Sequence, residues 1–154
     1  MTGKIESRLA ELGLQLPEAP APAGNYVPYV IAGELVFVSG QVPKAGDGLI
    51  VGKLGDDMTV EQGQEAARLC ALHLLGQVKL ACGGDLDRLV RVVRLGGFVN
   101  ATPDFGDHPA VINGASDLFG EVLGEAGRHA RAAVGSASLP FGVAVEVEGV
   151  FQIR

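Results

Sequence analysis

Arg131 and Glu146 stand fifteen residues apart in the run HARAAVGSASLPFGVAVEVEGVF, which is otherwise almost free of charge. A guanidinium is a rigid fork of donors that grips a carboxylate through two hydrogen bonds. A carboxyl in apolar surroundings keeps its proton longer than usual and can hold or deprotonate a water. Together they suit a small carboxylate-bearing substrate attacked by water at an electrophilic carbon, with neither a metal nor a covalent nucleophile. The same two residues also fit a plainer role on a solvated sheet face, or as an ion pair tying strands together. Charges in so apolar a stretch must be paired or hydrated in either case.

The other reactive side chains fit better into structure. His73 lies among Leu69, Cys70, Leu72, Leu74 and Leu75, the surroundings of a packed helix residue. His108 precedes Pro109 and shapes a helix start. His129 is two residues before Arg131, so in strand geometry both point to one face and His129 is a candidate ligand contact. Ser39 is not in a Gly-x-Ser-x-Gly elbow, and no His/Asp pair is evident to activate it. Gly40 offers a backbone position that a ligand can approach closely, and Tyr26 is a further candidate. Cys70 and Cys82 sit twelve residues apart on one helical segment, too distant to bridge, and read as buried free thiols. No spacing supports a metal site, and neither Gly83-Gly84 nor Gly96-Gly97 fits a nucleotide-binding loop, so no cofactor is expected.

The elements that must position these groups follow from periodicity. Ile5, Leu9 and Leu12 predict a short amphipathic helix over residues 2–12, and Pro17 to Pro22 a stiff extended linker. Residues 1–23 are read as this helix and linker, and 24–154 as a single domain. Tyr29–Ile31 and Leu35–Val38 read as two strands about a turn at Gly33-Glu34. Thr59 and Gln62 form a capping box opening a helix that Gly83-Gly84 stops near Ala81. Leu86–Val99 is a largely buried strand. Asp107 and Pro109 start a second long helix that ends near Gly127.

Leu139-Pro140-Phe141-Gly142 suits a type I turn joining two final strands into a hairpin. Alternation of Val143, Val145 and Val147 puts Glu146 and Glu148 on the opposite face. In that hairpin Gly135 stands opposite Glu146, and Arg131 lies about 13 Å further along the sheet, so a direct salt bridge is disfavoured. The order β-β-α-β-α-β-β, two helices against one mixed sheet, is an α+β layer.

Composition narrows the function. The net charge of −6, from 12 Lys+Arg against 18 Asp+Glu, argues against a general nucleic-acid surface. No apolar run reaches the roughly 18 residues that span a bilayer, and the first residues lack a signal-peptide core. A cytoplasmic location is the expectation.

Four ordered motifs resemble the Rid/YjgF family of reactive-intermediate deaminases, also labelled perchloric-acid-soluble protein endoribonucleases. They are Val38-Ser39-Gly40-Gln41-Val42-Pro43 with Tyr26 upstream, Ile112-Asn113, Ala130-Arg131, and Leu139-Pro140 leading into Val145-Glu146-Val147-Glu148. The resemblance spans about residues 24 to 153. It implies a chorismate-mutase-like fold and a homotrimer with clefts between subunits. It also implies a carboxylate-binding role for Arg131, water activation by Glu146, and Tyr26, Ser39, Gly40 and Asn113 near the site. The implied reaction is hydrolysis of 2-imino acids to 2-oxo acids and ammonia. An endoribonuclease and a non-catalytic small-ligand binder are the alternatives. Two departures stand out: Ala133 replaces the cysteine of well-studied deaminases, and Arg128-His129 replaces an apolar residue and proline. The two cations suggest a pocket for a more anionic ligand.

Overall fold

Thr59 begins the longest helix, α2 (Val60–Ala81), through the expected reciprocal cap: its hydroxyl accepts from the Gln62 amide, and the Gln62 side chain accepts from the Thr59 amide. Gly83 and Gly84 stop the helix in left-handed conformations, and the Gly84 N–H reaches back to the Lys79 carbonyl. The computed structural model describes residues 3–19 and 23–154. Part of the expected linker, residues 20–22, therefore lies outside the described residues.

The N-terminal helix α1 (Lys4–Glu11) buries Leu9, and Asp87 caps its first turn by accepting from the Lys4 and Ile5 amides. Strands β1 (Tyr29–Ala32) and β2 (Leu35–Gln41) form the first hairpin, followed by a short pair, β3 (Lys44–Ala45) and β4 (Gly48–Leu49). After α2 come β5 (Leu89–Asn100), α3 (His108–Leu123), β6 (Ala130–Ser136) and β7 (Val145–Ile153). The main sheet has the order β1-β2-β7-β5-β6. Helices α2 and α3 cover one face, as the α+β reading expects, and the core lies between them and the sheet. Among the described residues no helix is long and apolar enough to cross a membrane.

One expectation fails here. The last two strands are not a hairpin, because β5 lies between them: β6 pairs parallel with β5, and β7 pairs antiparallel with β5 on its other side. Gly135 is opposite Val99, not Glu146. The connection from 137 to 144 passes over the end of β5, where the Asn100 amide bonds the Ala144 carbonyl and the Ala101 amide bonds the Ser136 carbonyl. The turn within it also differs. The Gly142 N–H bonds the Leu139 carbonyl at 3.0 Å, but Phe141 has φ 61° and ψ 10°. That is left-handed backbone at the third residue, as in a type II turn, and it is costly for a bulky side chain.

The sheet register assigns each side chain to a face. Gly97, paired with Val147 and Ala133, faces the helices: a methyl there would strike Ile112 of α3. Leu95 is in phase with Gly97 and pairs with Arg131, so Arg131 also faces the helices. Phe98 faces the other way, and its partners Glu146 and Val134 share the open face.

Candidate active site

Arg131 and Glu146 thus leave opposite faces of one sheet, and the structure gathers the candidate residues into two groups. The first surrounds Glu146 in a cavity of about 640 Å³. Tyr26, Ser39, Gly40 and Phe141 line it, with Gln77 of α2. Glu146 is half-buried, and burial pushes its carboxyl up, with the neighbouring Glu148 adding to the effect. A carboxyl so placed is a better proton acceptor near neutral pH than an exposed one.

Gly40 explains the shape of this cavity. It sits where the pairing of β2 with β7 shifts register between Val38 and Gln41. A methyl on Gly40 would collide with the Glu146 carboxylate and stand 2.9 Å from its Cδ. The glycine therefore makes room first for the carboxylate of its own chain. Gly40→Ala is expected to displace that flexible side chain, lowering kcat while the melting temperature moves little. Steady-state kinetics beside a thermal melt checks this; unchanged kcat with a folded variant contradicts it.

Ser39 donates its hydroxyl proton to the Val27 carbonyl at 2.8 Å, and its amide bonds the Pro28 carbonyl. Its contribution is to hold the segment carrying Tyr26 against β2. Tyr26 is half-exposed, and its hydroxyl accepts from the Ala23 amide at 3.3 Å. Ala23 and Gly24 share that wall of the cavity. Further back, the Pro17 carbonyl packs over Gly76, where a methyl would stand 3.2 Å from it. At Pro17 the segment after α1 therefore lies against α2.

The second group lies along α3. Arg131 donates from Nη1 to Ser116 Oγ at 2.9 Å and from Nη2 to the Pro109 carbonyl at 3.2 Å. Asn113 lies on α3 four residues after Pro109 and three before Ser116, so it shares their helix face and is exposed. Ala133 follows Arg131 on the same face of β6, partly buried against the core. His129 is behind Arg131, bonded to Ser116 Oγ at 2.9 Å and to the Gly127 carbonyl at 2.7 Å. Both its ring nitrogens are engaged within the chain. Arg128 is exposed and pairs with Glu125 at 3.7 Å. The expected doubly cationic pocket is therefore not formed by these two side chains within one chain.

The remaining histidines take structural positions. His73 is buried and donates from Nε2 to the Lys44 carbonyl at 2.9 Å. His108 opens α3 and meets Phe105 edge-on at 5.2 Å. Both cysteines are buried and unbridged, and burial drives the Cys70 thiol well up. Among the described residues no three His, Cys, Asp or Glu side chains converge as metal ligands would. Ser116 and Gln77 are the neighbours that sequence pattern alone did not single out. A lone serine and a lone glutamine inside helices carry no spacing signal.

Comparison with known proteins agrees with this architecture. Residues 6–148 match the family described as "YjgF/chorismate mutase-like, putative endoribonuclease". Protein TCP17 of Trypanosoma cruzi is 51% identical over 155 residues, covering 99% of this chain and 96% of that one. A crystal structure of a protein of unknown function from Agrobacterium tumefaciens superposes with a TM-score of 0.91 at 50% identity, over 98% of this chain and 93% of that one. The crystal structure of TdcF from E. coli with bound serine gives a TM-score of 0.63 at 26% identity, over 89% and 94% of the two chains. With its fold, its ordered motifs and a match over nearly its whole length, the chain belongs to the YjgF/RidA family, in the chorismate-mutase-like fold.

Proposed function

We propose that the protein is a cofactor-independent hydrolase of reactive imines and enamines that carry a carboxylate, converting 2-imino acids to 2-oxo acids and ammonia. The observation that carries this reading is the half-buried Glu146, its proton affinity raised, in a cavity large enough for a small metabolite. Arg131 anchors the substrate carboxylate. Ionised Glu146 takes a proton from water as the water oxygen bonds the C=N carbon and the π electrons pass to nitrogen, and it then gives that proton to the nitrogen, leaving a neutral carbinolamine. Glu146 next takes the carbinolamine hydroxyl proton as C=O forms and the C–N bond breaks, and returns it to the departing nitrogen as ammonia.

Because Arg131 and Glu146 leave opposite faces of the sheet, one copy supplies the guanidinium and a neighbour the carboxylate. A homotrimer with three shared clefts is the assembly we infer. The open sheet face supports it: Val30, Phe37 and Val134 are each about half exposed there, an apolar surface suited to other copies. TdcF with bound serine is a relative holding a small carboxylate-bearing molecule, in keeping with this substrate class. The endoribonuclease in the family description is the competing activity, and the net charge of −6 runs against a phosphate-tracking surface.

Freshly generated 2-iminobutanoate tests the reading. The protein should accelerate its decay to 2-oxobutanoate with release of ammonia. Decay at the buffer rate contradicts hydrolysis, and stabilisation by 2-oxobutanoate without turnover would indicate a binder instead. RNA cleavage that survives repurification and is lost in Arg131→Ala would favour the nuclease.

A further inference from the structure

We infer that Ser116 and His129 are positioning residues that aim the Arg131 guanidinium through a hydrogen-bond chain with a single proton arrangement. The inference rests on the reading of Arg131 as the carboxylate anchor, and it is built from four contacts.

The Gly127 carbonyl can only accept, so the His129 nitrogen 2.7 Å from it, Nδ1, carries the proton. In the neutral ring Nε2 is then a bare acceptor, and the Ser116 hydroxyl 2.9 Å away is its donor. With its proton committed, Ser116 Oγ offers its lone pairs to Arg131 Nη1, at 2.9 Å. The chain runs in one direction, from Arg131 to Ser116 to His129 to the Gly127 carbonyl, and each link polarises the next. Pro109 fixes the second arm, accepting from Nη2 at 3.2 Å. Two acceptors one above the other on α3 thus set the plane of the fork and leave its other donors to a carboxylate.

The ring itself is held. Phe119 meets it edge-on at 6.2 Å, and its half-buried setting and the nearby Arg131 cation both favour the neutral form that the chain requires. The neighbouring charges are otherwise occupied: Arg128 pairs with Glu125, and Arg91 donates to the Arg128 carbonyl. Without the Ser116 hydroxyl, Nη1 loses its acceptor and the fork is free to rotate about its remaining bond to Pro109. The anchor would still be charged but no longer pre-aimed, which weakens capture of the carboxylate.

Two measurements on the full-length protein test this. Nitrogen-15 NMR of the wild type should show His129 as the neutral Nδ1–H tautomer at pH 7, with Nε2 shifted as a hydrogen-bond acceptor. In Ser116→Ala that Nε2 shift should disappear. Calorimetric titration with 2-oxobutanoate should show binding weakened about 10-fold in Ser116→Ala and restored towards wild type in Ser116→Thr, which keeps the hydroxyl. An Nε2–H tautomer in the wild type, or an unchanged Nε2 signal in Ser116→Ala, overturns the chain without reference to any activity. If Arg131→Ala weakens binding while Ser116→Ala binds as tightly as wild type, the anchor stands and the positioning role falls. If Arg131→Ala binds as tightly as wild type, the anchor itself is wrong, and the inference falls with it.

Discussion

Glu146→Gln should lower kcat on 2-iminobutanoate by about 10²–10⁴-fold, the usual contribution of a general base, with KM little changed. Glutamine keeps the shape beside Gly40 but cannot accept a proton from water. The wild-type rate should also rise with pH through the elevated pKa of this carboxyl, since the base acts in its ionised form. Stability should move the opposite way. A carboxyl whose folded pKa is raised contributes stability that is complete below its unfolded pKa, and loses it as pH rises through the folded value. The half-buried carboxylate is therefore a liability at neutral pH. Glu146→Gln should melt above wild type there, and the gap should close below the ordinary carboxylate range of about 4. Thermal melts at both pH values, beside kcat, check the two halves together. A variant that keeps its activity contradicts the base.

Arg131→Ala should reduce kcat/KM by about 10–150-fold, the equivalent of the roughly 1.5–3 kcal/mol carried by hydrogen bonds to a charged group. The loss should appear mainly in KM, because the guanidinium holds the carboxylate before and during attack. Arg131→Lys should recover only part of it. An ammonium restores the charge but not the fork that meets Ser116, Pro109 and a ligand together. Steady-state kinetics on all three proteins separates these outcomes. An alanine variant with wild-type kcat/KM would remove Arg131 from the site.

The parts of the fold with local causes were legible in the residues. Thr59 with Gln62, and Gly83-Gly84, mark both ends of α2, and the structure ends the helix there for the reasons those residues suggest. Alternation around Val145 and Val147 puts Glu146 on the face away from the helices, as expected. Pairing of distant strands was not legible. Leu139-Pro140-Phe141-Gly142 specifies a change of chain direction, but nothing in a turn says whether its flanking strands are neighbours or stand one strand apart. Here β5 occupies the space between them, using hydrogen bonds from Asn100 and Ala101 that no local pattern announces. The expected absence of a direct Arg131–Glu146 bridge holds, but for a different reason: the obstacle is not distance along a hairpin but that the two side chains leave different faces. His129 shows a further limit. Its spacing from Arg131 was correct, yet its ring turns to Ser116, a partner fifteen residues from Arg131 on the neighbouring helix.

The shared cleft is tested most directly by mixing two impaired proteins and assaying them at substrate well below the wild-type KM, where the Arg131→Ala loss is fully expressed. Arg131→Ala chains keep an intact Glu146, and Glu146→Gln chains keep an intact Arg131. Coexpressed in equal amounts, they should assemble so that about a quarter of the clefts pair a working guanidinium with a working carboxylate from the next copy, for any closed ring with one such cleft per interface. About a quarter of wild-type activity is the expected result. Mixed assemblies no more active than the two variants prepared separately would show that a cleft between copies does not unite these residues.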